Sequence, residues 1–311
     1  MEKKLISEFY RLINLYRHTK SSVIKKEIYT TLTGIYYVCQ EYGIKLPDIS
    51  NYILGKGIIS DEYFEMDNTS LEFINKLFDI IDQKLILPNY EAYNKMNIKV
   101  NKDKYDKIII EYLKNNKKEL YNLYIQMIRE NRTFEIKTGF DTSDTNFLTI
   151  PYSHERASII IIDSYPTLSC YYGIIHELAH THYEEKYKYY GKQAKYDLAN
   201  DLVEVYPIYS ELLLGEYLKQ IKITDKNYIF EFTKNQLSVF SKVKLDNYDI
   251  HFMGNVLALS FFDMYMEDKE KTEYNFEQFL RNYEGNDFKT NINSFGLSEE
   301  KILSLKVLER E

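Results

Sequence analysis

Tryptophan is absent from the 311-residue chain, and cysteine occurs only twice, at Cys39 and Cys170. Two distant thiols without a CxxC pattern build neither a disulfide framework nor a thiolate metal site. Runs of basic residues are missing too. With 40 Lys and Arg against 47 Asp and Glu the formal charge is −7, which gives no electrostatic footprint for a nucleic-acid partner. No segment approaches 18 consecutive apolar residues, so no membrane-spanning helix is expected. In the opening MEKKLISEFYRLINLYRHTK, Glu8 and Arg11 interrupt the apolar stretch. A secretory signal is therefore not expected, and the cytoplasm is the expected compartment.

What is present is the composition of a folded chain, 44% hydrophobic and 28% charged, long enough for a large core or two lobes around a cleft. Up to residue 131, apolar residues recur at spacings of three and four: Leu5 to Tyr16, Val23 to Tyr42, Leu71 to Lys84 and Tyr105 to Ile128. That periodicity predicts helices, broken at Pro47 and Pro88, and gives a helical region 1–131 that would form one wall of a cleft. Extended segments follow at Thr133 to Lys137, Phe147 to Ile150 and Ala157 to Tyr165, separated by the turn-rich stretch Asp141 to Asn146. They predict a small antiparallel sheet. Helical periodicity then resumes, so the expected fold class is mainly α, with that sheet beside the helix that carries the motif described next.

His176-Glu177-Leu178-Ala179-His180 is an H-E-x-x-H arrangement. Two histidines four apart on a helix share one face and can reach a single metal ion, while the glutamate beside the first can meet the metal's water. Ser164, Pro166 and Thr167 supply helix-start signals, and Gly191 stands where a C-terminal stop is expected. The motif arises by chance in roughly one chain per hundred of this composition, so two ordinary helix histidines beside a solvated glutamate are the competing reading.

A zinc hydrolase site takes three protein ligands and leaves one position for water. Glu204 lies among Leu202, Val203, Val205 and Ile208, and a buried ionised carboxylate needs a cation or hydrogen-bond donors to compensate it. A zinc ion would do so; a glutamate that points outward or pairs with a nearby lysine is the alternative.

The run HELAHTHY, the 24 residues from His180 to Glu204, and the run VEVYPIYSELLL together resemble the thimet oligopeptidase and oligoendopeptidase F family of zinc metallopeptidases. The stretch Asp249-Ile-His251-Phe-Met-Gly-Asn255 is similar to that family's IPHFYxNFYxY segment, and the likeness spans about residues 139–303. It implies a multi-helix, zincin-like metallopeptidase fold with a substrate cleft. By position it implies His176, His180 and Glu204 as ligands of one Zn2+, Glu177 as general base, and His251 as oxyanion donor. Glu211 and Asp201 would then accept hydrogen bonds from the metal-binding imidazoles. Peptide is the implied partner, and oligomeric state leaves no signature.

The departures are specific. Ala179 replaces a glycine, Tyr183 replaces a third histidine with His182 one position off, and Val256 to Phe262 replaces a tyrosine-rich run. The function expected is hydrolysis of short unstructured peptides by a zinc-activated water. A catalytically weak relative that holds zinc and a peptide or protein partner is the alternative, and a zinc hydrolase of unrelated substrate, such as an amide or a deacylation substrate, is a third.

Overall fold

The computed structural model describes residues 2–18, 32, 36, 45–46, 68–83, 90–130, 132–136, 146–152, 156–162, 166–187, 204–242, 250–282, 292–304 and 306. Helices α1 Glu2–His18, α2 Asn68–Gln83, α3 Tyr90–Met96, α4 Lys102–Asn116 and α5 Lys118–Arg129 come first. Strands β1 Thr133–Ile136, β2 Asn146–Tyr152 and β3 Arg156–Ile162 follow. Next are α6 Leu168–His182, α7 Val205–Gln220, α8 Tyr228–Lys242, α9 Ile250–Glu267, α10 Lys269–Asn282 and α11 Glu299–Ser304. The described chain is thus mainly α.

Local chemistry sets several of these boundaries. Asn101 caps α4 by accepting the Lys104 N–H at 2.9 Å, and Thr167 caps α6 by accepting the Cys170 N–H at 3.3 Å. The single helix expected over 105–128 is two helices. Lys117, at φ −139° and ψ 63°, leaves the helical region and ends α4 before α5 begins. Two asparagines and two lysines at 115–118 offer no apolar side chain to hold that turn against a neighbour. The helix expected over 23–42 lies outside the described residues apart from Leu32 and Tyr36.

The three strands pair in the order β1-β3-β2, and the sheet is mixed rather than all antiparallel. β2 runs antiparallel to β3, with Thr149 opposite Ile159, whereas β1 runs parallel to β3, with Thr133 opposite Ile159. The sequence spacing shows which segments are extended but not which pair. β3 is therefore central, and among the described residues β1 and β2 form the edges.

The core centres on α7 and α9, whose buried residues surround each helix rather than form a stripe. α6 packs on α7 and on β2, α7 packs on α9, and α2 and α3 pack on α8. Phe78 of α2 stacks on Phe252 of α9 with centroids 4.3 Å apart. One contiguous cluster of buried side chains extends from Phe73 to Ile302, so helices on both sides of residue 131 share it. No helix among the described residues is long and apolar enough to cross a membrane.

Candidate metal centre

α6 presents His176 and His180 one turn apart, as the four-residue spacing requires, with their Nε2 atoms 3.1 Å from each other. Glu204 comes from the N-cap of α7. A glutamate at that place ordinarily offers its carboxylate to water or to its own helix, yet Glu204 makes no side-chain cap bond and is 6% exposed. Its Oε2 lies 3.1 Å from His176 Nε2 and its Oε1 3.5 Å from His180 Nε2.

These separations provide a test of fit for a metal. Ligand bonds of about 2.0–2.1 Å at tetrahedral angles place donor atoms about 3.3 Å apart, and the three separations here bracket that value. All three donors lie within 4.8 Å of one another. Two imidazoles and a carboxylate are also the donor types of a zinc site with room for water. The residues therefore fit such an ion.

Electrostatics point the same way. Burial opposes the charged form of His176, but the carboxylates of Glu211 and Glu204 outweigh it and hold the ring's pKa well above the ordinary histidine value. Burial would likewise raise the carboxyl pKa of Glu204, and the hydrogen bonds of His176 and His180 overcome it, leaving the group well below the ordinary carboxylate range. In the absence of a metal this site favours positive charge between its acids. A divalent cation meets the same demand without asking the imidazoles to hold extra protons.

Glu211 stands seven residues after Glu204 on α7, two turns along one face, and its Oε1 lies 3.2 Å from His176 Nδ1. An imidazole with Nδ1–H directed at a carboxylate has its Nε2 lone pair free to bind metal. Glu177, one residue after the first histidine, is buried at 7% exposure, and its charge acts on His176. Asp201 lies outside the described residues. His251 is in the first turn of α9, and its side chain lies outside the description.

α6 does not run on to Gly191 as one α-helix. It passes into a π turn over Tyr183–Tyr187, a form that concentrates at functional sites, and residues 188–203 lie outside the description. His182 is not in the metal group. Its Nδ1 lies 2.9 Å from the Tyr206 hydroxyl, and burial pushes its pKa down to about 4. That contact joins the end of α6 to the first turn of α7, which fixes Glu204 opposite the histidines. Tyr183 is buried and stacks on Tyr187.

Gly254 is the residue that sequence reading passed over. On α9 it lies so close to Glu204 that a Cβ there would stand 2.6 Å from Glu204 Cβ and 3.2 Å from Ile208 Cδ1. Only a glycine lets α9 approach at this point. A glycine in the middle of a helix, where propensity disfavours it, was the available signal.

Compared with family models, curated proteins and solved structures, the chain matches none.

Proposed function

We propose that the protein is a zinc-dependent metalloendopeptidase that hydrolyses short unstructured peptides in the cytoplasm, a short relative of the thimet oligopeptidase and oligoendopeptidase F family. The observation that carries this reading is the convergence of His176, His180 and Glu204 from two helices to within 4.8 Å, with the buried Glu177 next to the first histidine. His176, His180 and Glu204 would hold the ion. An ion held there would supply Lewis-acid chemistry, lowering the pKa of a bound water towards neutrality. Glu177 takes the proton of the attacking water and passes it to the leaving amine. Glu211 holds the tautomer and orientation of His176, and His251 is assigned the stabilisation of the oxyanion.

A second reading has its own support. Residues 256–262, where the resemblance would place tyrosines, are Val, Leu, Ala, Leu, Ser, Phe and Phe, all buried in α9. No phenol is available there for a transition state. This favours a relative that binds zinc and a peptide or protein partner without rapid turnover.

One experiment separates the two. Pure protein is incubated with a mixed peptide library, with and without a chelator, and products are read by mass spectrometry beside the Glu177→Gln variant. The peptidase reading expects chelator-sensitive cleavage, lost in Glu177→Gln while that variant keeps its zinc. Zinc retention with no cleavage by the unaltered protein favours the binding reading, and cleavage near the unaltered rate in Glu177→Gln refutes the assigned base.

A further inference from the structure

A cavity of about 620 Å³, broadly open to solvent, lies away from the histidines. Small-molecule sites have volumes of about 300–1,000 Å³. Val100, Tyr105, Leu168 and Tyr228 give it apolar walls, the last three of them buried. Lys95, Lys219 and Lys222 also line it, against one acid, Asp225. Three cations less one anion make a local charge of +2 in a chain whose net charge is −7.

The partners of these groups matter more than their number. Asp225 already accepts the hydroxyl of Tyr228, and Lys219 lies 3.6 Å from Glu216. Neither Lys95 nor Lys222 has a carboxylate within 4.0 Å among the described residues. Thr224 lines the same cavity, and its hydroxyl is buried without a hydrogen-bond partner among the described residues. Lys95 acts at longer range on the exposed Asp225, so an open pocket with apolar walls, two lysines without a close carboxylate and one unsatisfied hydroxyl suits a ligand with one anionic end.

Backbone conformation at Lys222 supports this independently. α7 ends with Ile223 N–H donating to Leu218 O at 2.9 Å and Lys222 N–H to Lys219 O at 3.0 Å, the paired bonds of a Schellman turn. Residue 222 must then be left-handed, and its φ is 57°. Glycine is the ordinary occupant, because a Cβ is disfavoured there. Among the described residues Lys222 is the one non-glycine with positive φ. A lysine at a helix C-terminus also interacts favourably with the helix dipole, but Lys219 in the last turn of α7 already provides that charge.

We propose that this cavity binds a small amphipathic carboxylate, its head between Lys95 and Lys222 and its apolar body against Tyr105, Leu168 and Tyr228. Leu168 precedes His176 by eight residues on α6, about 12 Å along the axis, so this site is separate from the metal group and does not depend on the zinc reading. A free medium-chain carboxylic acid and the C-terminal residue of a peptide share this chemistry.

The test is calorimetric titration of the full chain with octanoate against octanol, and with acetyl-Ala-Ala-Phe against its C-terminal amide. Binding is expected for at least one acid and to weaken about tenfold or more in its neutral counterpart, a loss typical of a charge-assisted hydrogen bond. Whichever acid binds identifies the source. The same titration of Lys222→Gly and of Lys95→Gln should each weaken the acid about tenfold. Lys222→Gly should also melt at an equal or higher temperature, because glycine relieves the left-handed backbone. A merely structural lysine would change melting and leave the titration unmoved. Equal affinities for acid and neutral probes, absence of any binding, or unchanged affinity in Lys222→Gly would each overturn the proposal.

Discussion

At 6% exposure, with an imidazole nitrogen 3.1 Å from one oxygen and another 3.5 Å from the second, the Glu204 carboxylate sits where solvation alone would not keep it. As an isolated anion it would be costly, and as the third ligand of a zinc ion it is compensated. Purified protein is therefore expected to carry about one zinc per chain, and Glu204→Ala to lose it by elemental analysis. Full occupancy in that variant would move the third ligand elsewhere. Gly254 belongs to the same argument. A methyl group 2.6 Å from Glu204 Cβ and 3.3 Å from its carbonyl carbon cannot be absorbed by rotating a flexible tip, so the carboxylate must shift. Gly254→Ala is expected to weaken zinc about tenfold or more in competition with a chelator, the scale on which loss of ligand orientation acts. Helix propensity alone would make the same substitution stabilising. Unchanged zinc affinity with raised stability would show that α9 has room to spare.

Between elements, the two helices that carry His176, His180 and Glu204 are held together by polar contacts as well as by apolar packing. His182 meets Tyr206 across α6 and α7, and the π turn after α6 reaches α10 through Tyr187, whose hydroxyl donates to Glu277 at 2.5 Å. Burial pushes the Glu277 carboxyl pKa up, but hydrogen bonds from Tyr187 and Arg281, helped by Lys186, bring it below its ordinary value of 4.5. A carboxyl depressed in the folded state contributes stability above its unfolded pKa and loses it as pH falls through the folded one. Glu277→Gln should therefore flatten the fall in stability between about pH 5 and pH 3, followed by urea unfolding. Identical slopes in the two proteins would remove Glu277 from the acid response. These contacts also show what was legible. The face shared by His176 and His180, the cap at Thr167 and the need of a buried Glu204 for a cation or hydrogen-bond donors follow from spacing and local chemistry. The break at Lys117, the parallel pairing of β1, the His182–Tyr206 contact and the close approach at Gly254 depend on which elements meet, and local periodicity carries no such information.

For the whole molecule, the consequence of the proposed function lies in what can reach the histidines. β3 is central and has a neighbour on each side, so its backbone has little left to offer a substrate. Among the described residues β2 is an edge and packs on α6, the helix that bears His176 and His180, so its outer side offers backbone for strand addition beside that helix. A substrate that pairs there must be extended over several residues. A free peptide reaches that state at small cost, whereas a segment inside a folded domain must first unfold locally, at up to several kcal/mol. One sequence of about a dozen residues, offered as a free peptide and again within a stable domain, is therefore expected to be cut at least about a hundredfold faster as the peptide, since each 1.4 kcal/mol of opening lowers the accessible population tenfold. Comparable rates would mean that the site accepts folded chains as they stand, and the oligopeptidase reading would fail even with zinc and Glu177 in the roles assigned to them.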